Sequence, residues 1–144
     1  MQIMRYLLIV SVALLIILYP KAKKYDIEVM VSNINTQKGN IELAVFDNSE
    51  EFLQKNKSIK KYSKAVRGNS IKIKVKNLPE GHYAISLYHD VNGDKECNLN
   101  VIGIPKEPYG FSNNFKPLYR QPKFEDCQFF VSENQEIHIS LLGK

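Results

Sequence analysis

The chain contains few of the residues that mark specialised protein classes. Its 144 residues include only two cysteines, seven glycines and six prolines, which excludes a fibrous or low-complexity chain. With 44% hydrophobic residues and a formal net charge of +5, the composition is also unlike that of a disordered chain. We therefore expect one globular domain that folds around its own hydrophobic core, with no need for disulfide or metal cross-links.

A short apolar run near the N-terminus predicts export. Residues 6–19 read YLLIVSVALLIILY, an uncharged segment with basic residues on both sides. It is shorter than the roughly 20 residues of a membrane-spanning helix and matches the apolar region of a secretory signal. Pro20 stands where signal cleavage needs a small residue, so residues 1–24 are assigned to a signal peptide or an uncleaved anchor. Residues 25–144 form the domain, expected to be periplasmic, secreted or anchored on the outer side of the inner membrane.

Charge is unevenly distributed within the domain. Beyond residue 24 there are 16 basic and 15 acidic residues, yet nine basic residues and no acidic residue fall between Lys55 and Lys76. The alternation of lysine with apolar residues over 71–76 favours an exposed, solvated strand face. The alternative is weak contact with an anionic membrane through four lysines, Lys55, Lys57, Lys60 and Lys61. Export removes nucleic acid as a partner, and the expected partner is an unknown envelope component or a small ligand.

Apolar and polar residues alternate with a period of two along the domain, which predicts an all-β fold. Strands are expected at six segments: 27–31, 41–45, 71–75, 82–90, 127–131 and 137–141. The turns at 78–81 and 132–135 are each expected to join two strands that pair with each other, and a short helix is predicted at 49–55. About seven strands with this pattern are typical of an antiparallel β-sandwich of immunoglobulin-like or transthyretin-like type.

A loop-rich insert at residues 91–124 interrupts the strands, and loops longer than about 15 residues are usually functional or disordered. Three motifs flank or occupy it, LPEGHYA at 78–84, HDVNGD at 89–94 and GIPKEPYGFSNN at 103–114. Together they resemble the bacterial exported domain of unknown function family 2141, whose pattern is LPxGxYA, HDxNxN and GIPxExYGFSNN. The resemblance covers residues 26–142 and implies a small exported β-sandwich without a known activity.

Oxygen-bearing side chains occupy every second position of the loop after His89. They are Asp90, Asn92, Asp94, Glu96 and Asn98. Ca²⁺ takes roughly six to eight oxygen ligands, and this spacing matches the first ligand positions of an EF-hand-like loop. Lys95 stands where such a loop needs glycine, and Val101 stands where it needs a bidentate glutamate. The alternative is turn chemistry, in which these side chains bind the loop's own backbone amides without a metal. Calcium is the one cofactor considered.

His89 and the aromatic residues that follow the loop are candidate ligand contacts. His89 ends an inward-facing row of strand residues, where a histidine usually holds loop backbone through one ring nitrogen. Tyr109 and Phe111, together with Asn113, either line a mouth for a small ligand or pin the loop across the sandwich. A small-ligand carrier or an enzyme that uses this mouth is therefore the alternative to a non-enzymatic binding or structural module.

The two cysteines leave two interpretations open. Cys97 and Cys127 would meet an oxidising compartment after export, which favours a disulfide between them. In the family that the chain resembles, both positions are usually apolar, so the alternative is two small buried residues. A catalytic pair of a cysteine with His89 lacks an orienting third group and an oxyanion feature. No catalytic residue is therefore predicted.

Overall fold

The computed structural model describes residues 22–101 and 103–143. The predicted export segment lies outside the described residues except for its last three positions. Eight strands follow in chain order, β1 (Lys24–Ser32), β2 (Asn40–Phe46), β3 (Lys60–Ala65), β4 (Ile71–Pro79), β5 (Gly81–Asp90), β6 (Tyr109–Phe111), β7 (Phe129–Val131) and β8 (Gln135–Ser140). A 3-10 helix (Ser112–Asn114) and a short α-helix, α1 (Phe124–Cys127), lie between β6 and β7. Neither these nor any other helix in the described part of the chain has the length and apolar character to cross a bilayer.

The strands form two sheets of a β-sandwich, which confirms the predicted fold class. The smaller sheet has the order β4-β1-β8, and the larger has the order β3-β2-β5-β6, with β7 also pairing with β5. β1 and β8 run parallel, whereas the other pairs among the described strands are antiparallel. The described residues thus contain eight strands, close to the seven expected, and the β1–β8 pair is parallel where antiparallel pairing was expected.

Two of the predicted strand pairings are wrong because consecutive strands lie in different sheets. The 78–81 turn joins β4 of the smaller sheet to β5 of the larger one, and the 132–135 turn joins β7 to β8 across the sandwich. Instead β8 pairs with β1, with Ile137 opposite Val29. Alternation of apolar residues indicates that a strand has one buried face. The same alternation occurs when two consecutive strands form a hairpin and when they lie in different sheets, so it does not predict which strands pair.

The inward faces of both sheets form the main hydrophobic core. Alternate residues of β1 and β4 are buried, as the period-two pattern predicts. The large side chains buried completely or almost completely here are Ile27, Ile41, Leu43, Leu78, Ile85, Ile139 and Leu141. Each such side chain contributes about 1.5–3 kcal/mol relative to an exposed position. The core thus holds β5 firmly, and the long insert begins where β5 ends.

A second hydrophobic cluster covers the other face of the larger sheet. Successive strand residues point to opposite faces, so Ala84 faces away from the main core that holds Tyr83 and Ile85. The buried members of this cluster are Phe46, Phe52, Ala84, Phe111, Phe124 and Cys127. Their rings meet edge to face, with centroids 5.4 Å apart for Phe46 and Phe52. The cluster therefore packs the last part of the insert and α1 onto the sheet.

Two local features differ from the sequence prediction. Residues 49–53 form hydrogen-bonded turns rather than a helix, and Asn48 rather than Ser49 accepts the N–H of Glu51, at 2.9 Å. β3 was not predicted because it has no buried residue and therefore no apolar alternation. It is an edge strand whose three lysines oppose pairing with another chain.

Candidate cation site

The buried end of β5 positions the first residue of the acidic loop. His89 is 1% exposed, and its ring Nε2 donates to the carbonyl oxygen of Lys38 at 2.7 Å. The His89 backbone N–H donates to the carbonyl of Pro108, also at 2.7 Å. The ring of His89 therefore holds the backbone of the turn before β2 and joins that turn to the start of the insert.

Asp90 is fully buried, and its carboxylate closes a tight turn of the loop. One carboxylate oxygen accepts the N–H of Gly93 at 2.7 Å, and the other accepts the N–H of Lys95 at 3.0 Å. Lys95 has φ of +60°, so it takes by itself the left-handed conformation that usually favours glycine. This explains how the loop turns without the glycine that an EF-hand-like loop requires.

Asp94 accepts hydrogen bonds from three neighbouring groups of the loop. Its carboxylate accepts the N–H of Glu96 at 2.9 Å and the side-chain amides of Asn98 at 2.6 Å and Asn92 at 2.8 Å. These three hydrogen bonds, in that order of effect, lower the pKa of Asp94 and keep it ionised. The turn chemistry that was the alternative to a metal is therefore present, and both asparagines orient Asp94.

Glu107 is a member of the candidate site that the sequence analysis did not single out. Its Oε1 accepts the backbone N–H of Val91 at 3.1 Å, whereas its Oε2 is buried without a hydrogen-bond partner among the described residues. Burial raises the pKa of Glu107, and the charges of Asp90 and Asp94 raise it further against the opposing backbone hydrogen bonds from Val91 and Asn92. The signal available in the sequence was the glutamate of the GIPKE segment, which is part of the family pattern.

Three carboxylates therefore converge at the base of the insert. One oxygen each from Asp90, Asp94 and Glu107 lies within 4.8 Å of the others. Ligands on one Ca²⁺ stand about 2.4 Å from the ion, so two of them are at most about 5 Å apart. Of the predicted ligands, the structure brings together Asp90 and Asp94 and adds Glu107. The carboxylate of Glu96 instead forms an ion pair with Lys55 at 3.3 Å.

The candidate ligand-binding residues after the loop serve packing and backbone support. Phe111 is 8% exposed in the second cluster, and the ring of Tyr109 packs against it edge to face. Asn113 donates its side-chain amide to the carbonyl of Gln128 at 2.8 Å. Ser112 is fully buried, and its hydroxyl accepts the N–H of Ile85 at 2.9 Å. These placements correspond to the interpretation in which the segment pins the insert.

Of the two interpretations left open for the cysteines, the structure shows no disulfide among the described residues, and both cysteines are free. Cys127 is 0% exposed within the second cluster, and burial raises the pKa of its thiol to about 12. Cys97 lies on the exposed surface of the loop. The tertiary structure therefore buries one thiol and exposes the other. The 30-residue spacing of the two cysteines in the sequence does not indicate this difference.

The basic run from Lys55 to Lys76 is divided between two surfaces. On β4, Lys72 contacts both Glu28 and Glu136, and Lys74 pairs with Asp26 at 3.1 Å. Ion pairs also engage Lys55 with Glu96 and Lys57 with Glu51. Within the described part of the chain, Lys60 and Lys61 form no ion pair, so weak membrane contact through this run stays a prediction.

The fold and the acidic loop define a small β-sandwich module that carries a carboxylate cluster at the end of a central strand. The sequence pattern of a family described as uncharacterized protein conserved in bacteria (DUF2141) matches residues 29–139. The chain belongs to this family, which confirms the resemblance drawn from its three motifs. No curated protein and no solved structure matches the chain.

Proposed function

We propose that this protein is an exported, non-enzymatic module of the cell envelope that acts through binding or as a structural accessory, with its loop 89–114 stabilised by calcium. The observation that carries the calcium proposal is the convergence of Asp90, Asp94 and Glu107. Carboxylates this close repel one another, and a cation bound between them would add to the hydrogen bonds that offset this repulsion.

The buried oxygen of Glu107 adds an independent argument for a cation. A buried polar atom without a partner is costly, and native structures usually satisfy such atoms with protein, water or an ion. The Oε2 atom of Glu107 is such an atom, and its own carboxyl group belongs to the cluster. A hard cation with carboxylate ligands, of which Ca²⁺ tolerates irregular geometry best, would satisfy it.

The arrangement of the polar side chains supports a non-enzymatic role. The ring of His89 is held by the Lys38 carbonyl, and the carboxylate of Asp90 is held by the N–H groups of Gly93 and Lys95. An enzyme would instead direct a base and a nucleophile into one accessible pocket. Groups that bind their own loop backbone are suited to building a rigid recognition loop.

The envelope location rests on the sequence. The apolar run at residues 6–19 has the length of a secretory signal, and the family resemblance implies export. Extracellular modules bind calcium with dissociation constants of about 10⁻⁴–10⁻³ M, which suits a compartment where the ion is abundant. A calcium-stabilised loop is therefore consistent with the expected location.

Calorimetric titration of the full chain with Ca²⁺ tests the calcium proposal. We expect binding in the range of about 10⁻⁴–10⁻³ M for the wild type. The variants Asp94→Asn and Glu107→Gln each remove a charged ligand and should weaken binding by about tenfold or more, equivalent to roughly 1.4 kcal/mol.

The matched control is Glu133→Gln, which removes an exposed carboxylate from the turn between β7 and β8. This variant should bind as the wild type does. An absence of heat at millimolar calcium, or an equal loss in the control, contradicts the proposed cation site. Location is tested separately, by fractionating native cells and sequencing the N-terminus of the mature protein; recovery in the cytoplasmic fraction contradicts export.

A further inference from the structure

The outer edge of β3 carries backbone groups that no other part of the described chain satisfies. The N–H of Val66 donates to the carbonyl of Gly39 on the β2 side at 3.0 Å, and alternate residues of an antiparallel strand share that orientation. The N–H and C=O groups of Lys61, Ser63 and Ala65 therefore point away from β2. Because β3 ends the strand order of its sheet, these donors and acceptors are available to one more strand.

The edges of β4, β6 and β8, by contrast, receive contacts within the described chain. On β8, the side chain of Asn114 acts as a short strand, since its amide donates to the carbonyl of His138 at 3.0 Å and its oxygen accepts the N–H of Ser140 at 2.8 Å. On β4, the Tyr62 hydroxyl accepts the N–H of Lys76 at 3.1 Å. β6 forms a backbone bridge with the segment that follows β8. Among these edges, the one at β3 is left open.

The side chains of β3 give the open edge a positive charge. Lys60, Lys61 and Lys64 form no ion pair within the described part of the chain, and Lys64 donates to a backbone carbonyl of β4, which leaves its charge unneutralised. β2 contributes one carboxylate, that of Glu42, which accepts a hydroxyl of β3. Over residues 42–67 the chain has six basic and four acidic residues. Positive groups therefore outnumber carboxylates along this edge.

We propose that an extended acidic segment of a partner protein adds to the outer edge of β3 as a further strand of the larger sheet. Main-chain hydrogen bonds to Lys61, Ser63 and Ala65 would align the segment, and its carboxylates would pair with the lysines of β3.

The same features argue against the other occupants of this edge. A second copy of β3 would place lysines against lysines, which is destabilising. Lysines on an edge strand also deter apolar strands, so the edge admits an acidic strand best. An anionic bilayer would attract the lysines, but it offers no backbone to pair with the open N–H and C=O groups. An acidic peptide satisfies both the charge and the backbone.

This inference goes beyond the proposed function, and it requires neither bound calcium nor loop 89–114. The test uses the full chain, with EDTA present throughout, and a short fluorescent peptide in which glutamate alternates with threonine. A peptide with glutamine in place of glutamate is the uncharged control. Binding is measured by fluorescence anisotropy.

Two variants at position 63 separate strand pairing from charge attraction. Ser63→Pro removes one outward N–H at a position where an edge strand tolerates proline, because that N–H makes no bond to β2. Ser63→Ala keeps the N–H and is the matched control, and circular dichroism establishes that both variants are folded. We expect Ser63→Ala to bind the acidic peptide as the wild type does, and Ser63→Pro to bind it about tenfold more weakly or worse.

Amide hydrogen exchange of the wild type gives a second readout that needs no variant. Saturating acidic peptide should slow exchange at Lys61, Ser63 and Ala65, whose N–H groups it would bind. The proposal is overturned if the acidic peptide does not bind, if the glutamine peptide binds equally well, or if exchange at these three amides is unchanged. Equal binding to folded Ser63→Pro, with displacement of the peptide by phosphatidylglycerol vesicles, also overturns it, because the lysines then serve a membrane.

Discussion

The side chain of Glu107 accepts a hydrogen bond from the backbone N–H of Val91 at 3.1 Å and so closes the insert on itself. Val91 immediately follows the buried Asp90, whereas Glu107 precedes the segment that returns to β6. The contact therefore joins the two ends of the loop at the point where three carboxylates meet. Under the proposed cation site, the charge of Glu107 links cation binding, pH and the stability of the loop.

Stability without calcium should depend on the protonation of Glu107. The pKa of Glu107 is raised in the folded chain, so the folded state holds a proton more tightly than the unfolded state. Stability from this group is consequently lost as pH rises from the ordinary glutamate pKa through the raised one. Denaturation in EDTA over that pH window should show the loss in the wild type and a smaller loss in Glu107→Gln. Identical pH profiles for the two proteins would contradict this role.

Gly39 should be indispensable for the position of Asp90. A Cβ at Gly39 would lie 2.0 Å from the Asp90 carbonyl oxygen, and its φ is +72°. Gly93 has φ of +80° but open space around it, so Gly93→Ala isolates the conformational cost of about 1 kcal/mol. Gly39→Ala adds a clash and should cost roughly 2 kcal/mol or more by chemical denaturation. An equal loss of stability in Gly39→Ala and Gly93→Ala would show that the Asp90 backbone shifts to relieve the clash, and would contradict this prediction.

Ser112 should be required for stability rather than for ligand binding. Its buried hydroxyl accepts the N–H of Ile85 and donates to the carbonyl of Cys127. Ser112→Ala leaves both backbone groups unpaired, which should lower the free energy of unfolding by about 1–3 kcal/mol. The exposed Ser132 is the matched control, and Ser132→Ala should change it by less than about 0.5 kcal/mol. A stable Ser112→Ala protein would contradict the structural role.

Thiol labelling should distinguish the two cysteines. Alkylation of the native protein without reductant should modify Cys97, which is exposed, and leave Cys127, which is buried. Alkylation after unfolding in denaturant should modify both, as mass spectrometry would record. A native and unfolded protein that both resist alkylation until reductant is added would instead establish the disulfide.

Most strands could be predicted because alternation is a local property of a sheet with one buried face. Ile27, Val29 and Val31 already indicate the buried side of β1 in the sequence. β3 has no such marker, since its side chains stay in solvent and its place comes from pairing with β2. The pairing of β1 with β8 joins residues more than a hundred positions apart, and no local pattern specifies that contact.

The candidate site was predictable in part for a similar reason. Asp90 and Asp94 belong to one short loop, so their spacing in the sequence predicts that they lie close together. Glu107 reaches them only because the hairpin after Asn98 folds back and the Pro108 carbonyl receives the N–H of His89. The spacing also could not reveal that Glu96 turns to Lys55.

Local sequence was thus enough for the fold class, the family motifs and two of the three clustered carboxylates. The tertiary structure decided which strands pair, that Cys97 and Cys127 stay apart and that Glu107 completes the cluster. The physical reason is the distance along the chain over which each interaction acts. Alternation and turn chemistry act between near neighbours, whereas strand order and side-chain convergence depend on which distant apolar faces pack together.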